Sequence, residues 1–105
     1  MPPLTNLTAL TYLNLNFTPV DDLTPIAGMR ALLALYLNGT RVNDLTPIAG
    51  LSALSGLDLT DTDITSVAPL TGLARLHEVK LTGTDVTDLR PLAGRTYIQH
   101  PFITL

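Results

Sequence analysis

Cysteine is absent from this chain and histidine is nearly so, with only His77 and His100. Without cysteine there is no disulfide, no thiolate metal site and no thiol nucleophile. Its absence suits a reducing cytosol but also many secreted proteins, so cytoplasmic residence and secretion by a non-classical, type III-like route both stay open. Charge is sparse: 14% of residues are charged, six of them basic, and the net charge is −3. That balance lacks the positive field that nucleic acid or an anionic membrane surface requires. No apolar run approaches the ~20 residues of a membrane-spanning helix. The opening residues carry no basic stretch followed by an apolar core, so no signal peptide is expected. G-x-S-x-G, phosphate-loop and H-E-x-x-H patterns are missing as well. We expect no catalytic residue, no cofactor, no metal and no enzymatic activity.

What the chain does have is apolar residues, 46% of 105, enough for one domain with a modest core. They recur with a period of 22. Leu10, Leu32, Leu54, Leu76 and Ile98 share one column; Leu13, Leu35, Leu57 and Val79 the next; Leu15, Leu37, Leu59, Leu81 and Ile103 a third. Thr18, Thr40, Thr62 and Thr84 follow, then Val20, Val42, Ile64 and Val86. Leu23, Leu45, Val67 and Leu89 lead into a proline column (Pro25, Pro47, Pro69, Pro91) and a glycine column (Gly28, Gly50, Gly72, Gly94). The segment DLTPIAG recurs identically at 22–28 and 44–50.

Each row reads LxxLxLxxTxVxDLxPIxGL. This resembles the leucine-rich-repeat consensus, with threonine where asparagine or cysteine usually stands. The row length and the D-L-x-P-I/L tail are most similar to the bacterial internalin type. The resemblance implies an α/β right-handed solenoid, with a parallel sheet on the concave side and short 3₁₀ or helical turns on the convex side. It implies one domain over 1–105: a partial repeat 1–6, repeats 7–28, 29–50, 51–72 and 73–94, and a degenerate terminal repeat 95–105.

Elementary physics supports the same scaffold. An L-x-L pair puts two apolar side chains on one side of a short strand. One such strand cannot enclose a core, whereas stacked copies can. Asp22, Asp44, Ser66 and Asp88 are placed to N-cap a short turn that tolerates a proline early on. The glycine ending each turn is expected to free the chain to double back. Met29–Leu37 (MRALLALYL) reads as a helix in isolation, but the phase of the repeat makes its second half a strand. The threonines are expected to satisfy backbone groups where the strand turns away.

Residues flanking the apolar pair point outward and are not dictated by packing. One outward column runs Tyr12, Ala34, Gly56, Glu78, His100; another runs Asn14, Tyr36, Asp58, Lys80, with Phe102 if a fifth strand follows. Asn16, Asn38, Thr60, Thr82 and Thr104 come after, with Phe17, Gly39, Asp61 and Gly83 just beyond. The expected partner-binding surface comprises Tyr12, Asn14, Phe17, Tyr36, Asn38, Asp58, Glu78 and Lys80. Exposed aromatics beside small residues suit a protein-binding hot spot, although tyrosines also simply cover sheet faces. Asp58 and Lys80 are expected to form a cross-strand pair. Asp58, Asp61, Asp63 and Asp85 are the acidic residues that come nearest to a calcium-ligand run. Two or three of them can converge, against the about six to eight oxygens calcium takes.

The ends depart from the pattern. Arg95 replaces a leucine, Pro101 replaces the first strand leucine, and Tyr97–Leu105 is strongly apolar. Two functions follow from the sequence. The first is a protein-interaction module that binds a protein partner, as yet unidentified, through the concave sheet face. The alternative is a structural or self-assembly element that forms a homodimer through open solenoid ends, with Tyr97 and Phe102 in the contact, or stiffens a larger protein.

Overall fold

The computed structural model describes residues 9–93 and the backbone of one further strand, Tyr97–Gln99. Five three-residue strands form a single parallel sheet in sequence order: β1 (Tyr12–Asn14), β2 (Ala34–Tyr36), β3 (Gly56–Asp58), β4 (Glu78–Lys80) and β5 (Tyr97–Gln99). The ladder continues past the strand ends into the turns. Leu15, Leu37 and Leu59 donate to the carbonyls of Tyr36, Asp58 and Lys80 at 2.8–2.9 Å. Phe17, Gly39 and Asp61 likewise donate to Asn38, Thr60 and Thr82 at 2.7–2.9 Å.

β1 to β4 keep the register that the 22-residue period predicts, with Leu13, Leu35, Leu57 and Val79 as successive partners. The fifth strand does not. Val79 pairs with Ile98, an offset of 19 residues, so Ile98 belongs to the Val79 column and not to the Leu76 column. The expected positions of His100, Phe102, Ile103 and Thr104 along a fifth strand therefore fall away. A 22-residue offset would set Pro101 against Val79, and proline brings no N–H to a ladder.

Each apolar column of the repeat is buried. Leu35, Leu37, Ile48, Leu54, Leu59, Leu70, Val79 and Leu81 are all fully buried, in one continuous cluster through the described rows. Truncating one such leucine to alanine costs about 2–5 kcal/mol, since the stacked rows leave little room to close the cavity. In the first described row Leu10, Leu13 and Val20 are only half-buried.

Among the described residues four 3₁₀ turns lie opposite the sheet, Thr24–Ile26, Thr46–Ile48, Ala68–Leu70 and Arg90–Leu92, each with proline in its second position. The aspartates act one step before the expected place. The residues bordering the turns are Leu23, Leu45, Val67 and Leu89, all buried and none a side-chain cap. Asp22, Asp44 and Asp88 instead accept the backbone N–H two residues ahead at 2.9–3.0 Å. Ser66 accepts from Ala68 at 3.2 Å in the same way. A carboxylate thus orders the turn's entry where its proline has no N–H to contribute.

The glycines ending the first three of these turns serve no conformational purpose. Gly28, Gly50 and Gly72 have no left-handed backbone, and a Cβ on any of them would meet nothing within 4 Å. The chain reverses through a three-residue turn, with Arg30 donating to Gly28 and Ser52 to Gly50, both at 2.9 Å. Left-handed residues lie instead after each of β1 to β4: Phe17 (φ 62°), Gly39 (72°), Asp61 (56°) and Gly83 (79°). The helical reading of Met29–Leu37 loses, as only Ala34–Tyr36 is regular and it is a strand.

The threonine column does what its chemistry suggests. Thr18, Thr40, Thr62 and Thr84 each donate their hydroxyl to the carbonyl three residues back, at 2.7–2.8 Å. The same carbonyls accept the threonine N–H at 3.1–3.3 Å. Thr40, Thr62 and Thr84 are buried, so these hydroxyls are structural.

Candidate interaction surface

The solvent face of the sheet is a grid set by the parallel register. One column runs Tyr12, Ala34, Gly56, Glu78 and the next runs Asn14, Tyr36, Asp58, Lys80. At its centre the absent side chain of Gly56 leaves open space, since a Cβ there meets no atom within 4 Å. A hollow of about 260 Å³ opens over it. Tyr12, Leu33, Ala34 and Tyr36 line its N-terminal side. Ser55, Asp58, His77, Glu78 and Lys80 line the rest. Tyr12 is 62% exposed, Tyr36 36% and Leu33 37%, so the apolar wall faces water.

Five of the expected surface residues therefore meet in one place: Tyr12, Tyr36, Asp58, Glu78 and Lys80. Three do not. Asn14 is exposed but accepts the Asn16 N–H at 2.9 Å, serving the backbone. Phe17 lies beyond the strand, with its ring across Gly39; a Cβ on Gly39 would stand 2.7 Å from Phe17 Cδ1. Asn38 is half-buried, and its N–H is held by Asn16 Oδ1 at 2.8 Å. The side chain of Tyr97 and all of Phe102 lie outside the described residues.

Asp58 and Lys80 are register partners, yet they form no ion pair. Among the described residues the ion pair present is Arg90–Asp88, at 2.8 Å. Asp58 Oδ1 accepts the Thr60 N–H at 3.0 Å instead, which draws the carboxylate along its own strand. Asp61, the next carboxylate in that run, lies over Gly83. Among the described residues no three acidic or histidine side chains group as metal ligands, and none of the helices is long and apolar enough to cross a membrane.

Leu33, Ser55 and His77 form a lining column that inspection of the strands alone omits. Its signal was available: Leu33 is a leucine in a column otherwise polar, Thr11, Ser55 and His77. His77 is exposed, with Nδ1 3.2 Å from the Arg75 carbonyl. A second hollow lies at the edge toward the 3₁₀ turns, lined by Asp21, Asp22, Asn43 and Asp44 among others. There the hydrogen bonds to Thr24 and Thr46, from hydroxyl and backbone alike, hold Asp22 and Asp44 below the usual carboxylate range.

Sheet order, turn geometry and buried columns together define the class: this is a leucine-rich-repeat solenoid. No family model and no curated protein matches its sequence, but solved structures do. An internalin (inlF) from Listeria monocytogenes superposes with a TM-score of 0.88 at 33% identity, covering 93% of this chain and 30% of the other. InlC2 of the same organism gives 0.87 at 34% identity, covering 95% and 46%. InlJ shares the fold, at 0.59 and 19% identity. The repeats are thus internalin-like, and the chain spans less than half the length of either of the two more similar proteins.

Proposed function

We propose that this chain is a protein-interaction module that holds a partner on the solvent face of its sheet. Stacked repeats present broad surfaces of this kind, whose outward residues vary without cost to the core. The observation that carries the reading is the hollow over Gly56, where exposed Tyr12, Leu33 and Tyr36 stand beside unpaired Glu78 and Lys80. Amphipathic rings at the edge of a recess are the usual anchors of an interface. None of the three holds the core together, so their removal tests binding and not folding.

The test is capture of a partner by the wild-type chain, the Tyr12→Ala/Tyr36→Ala variant and an Asp63→Ala variant altered on the far side of the turn. Loss with the double variant alone supports the reading. Equal capture by all three overturns it. Concentration-dependent mass in light scattering, unchanged by the double variant, favours the self-assembly alternative.

A further inference from the structure

We infer that the hollow over Gly56 receives an arginine side chain from a protein partner. The inference rests on the interaction-surface reading and names the chemistry of the group that enters. Gly56 has Asp58 two residues along its own strand and Glu78 beside it on β4. Residues so placed share one face of the sheet at close range, about 5 Å across the ladder. Two carboxylates therefore border the same vacancy, and neither is in an ion pair. Asp58 Oδ1 is occupied by the Thr60 N–H; its second oxygen and both oxygens of Glu78 hold no hydrogen bond. Diagonally across β2 stands Tyr36, whose ring is partly exposed and lines the same space.

A planar cation answers all three groups. A guanidinium offers five N–H donors in a fork matched to carboxylates, and its face stacks on an aromatic ring. Its aliphatic stem would run along Ala34 and Leu33, which lie on the apolar wall. An anionic group would face Asp58 and Glu78 with Lys80 alone as counter-charge. A purely apolar group would strip water from both carboxylates with nothing in return. Lys80, diagonal to Gly56, is the one cation of the rim that an incoming arginine must meet. It has four carbons over which to turn away.

The experiment uses two blocked pentapeptides, one with a central arginine between leucines and one with citrulline in its place. Amide shifts of the 105-residue chain are followed by two-dimensional NMR up to about 10 mM peptide, a range suited to a single anchoring side chain. The expected result is saturable movement of the Gly56, Asp58 and Glu78 amides with arginine, and binding about tenfold weaker with citrulline. Glu78→Gln should weaken the arginine peptide about as much, and Lys80→Ala should tighten it. Gly56→Leu fills open space and should abolish binding; an unchanged spectrum elsewhere shows that it folds. Equal binding of the two peptides, no binding of either, or weaker binding in Lys80→Ala overturns the inference. Partner capture lost in Tyr12→Ala/Tyr36→Ala but indifferent to Glu78→Gln also overturns it, while leaving the interaction surface standing.

Discussion

The side-chain oxygen of Asn16 accepts the backbone N–H of Asn38 at 2.8 Å, and the oxygen of Asn38 itself is buried with no partner. The difference lies one residue pair away. Asn14 and Asp58 each accept the N–H two residues ahead, whereas Tyr36, in the same column, has no acceptor for Asn38. Asn16 therefore reaches across to the second row, and in the third row Asp58 has already taken the Thr60 N–H.

Two asparagines in one column should thus respond oppositely to truncation. Asn16→Ala leaves a half-buried N–H unpaired and should cost about 1 kcal/mol, while Asn38→Ala removes a buried acceptor with no partner and should be neutral or stabilising. Urea unfolding midpoints at constant m-value decide it. Asp58→Ala frees the Thr60 N–H for Asn38, so adding Asn38→Ala should cost more in that background than alone. Strict additivity would refute the hand-over.

The buried hydroxyls form the next test. Thr62→Val deletes the 2.8 Å bond to the Leu59 carbonyl and should cost about 1 kcal/mol, since that carbonyl keeps the Thr62 N–H. Thr62→Ser should retain the bond and lose only packing. A valine variant as stable as wild type would show that the hydroxyl is dispensable.

Glycines in the two columns should separate sharply. Gly39→Ala forces a left-handed alanine and drives its Cβ into the Phe17 ring, a loss of about 1–2 kcal/mol from conformation alone. Adding Phe17→Ala should recover the clash but not the conformational part. Gly28→Ala meets no atom and should be neutral or stabilise by about 0.4–1 kcal/mol through the unfolded chain. Thermal midpoints of the three variants measure the contrast.

The turn carboxylates predict the acid limb of stability. Hydrogen bonds from the Thr24 side chain and backbone lower Asp22, those of Thr46 lower Asp44, and those of Arg90 bring Asp88 to about 2. A carboxylate lowered by folding contributes stability that is full above its unfolded pKa of about 3.9 and is lost as pH falls through the folded value. Unfolding midpoints should hold steady above about pH 5 and decline between about 4 and 2. Asp88→Asn should flatten the lower end of that decline; a profile unchanged by the substitution would contradict it.

Much of this architecture can be read in one dimension because burial acts column by column. Leu35, Leu57 and Val79 are buried for the same local reason, so a period of 22 is enough to identify the core, the strands and the 3₁₀ side. The outward columns are equally visible, which is why Tyr12, Tyr36, Asp58, Glu78 and Lys80 were identifiable as a surface. Leu33, Ser55 and His77 are not legible in this way because they precede the strands, and lining depends on depth around Gly56 and not on alternation.

The sequence by itself determined which side of each row faces the core, since removing apolar groups from water is non-directional and needs only the right spacing. Tertiary structure decided what spacing leaves degenerate. It set β5 three residues early against Val79, drew Asp58 to Thr60 and away from Lys80, laid Phe17 over Gly39 and left the Asn38 oxygen unpaired. Hydrogen bonds and contacts of that kind are directional and short-ranged, so which acceptor reaches an N–H first is settled only once neighbouring rows are stacked.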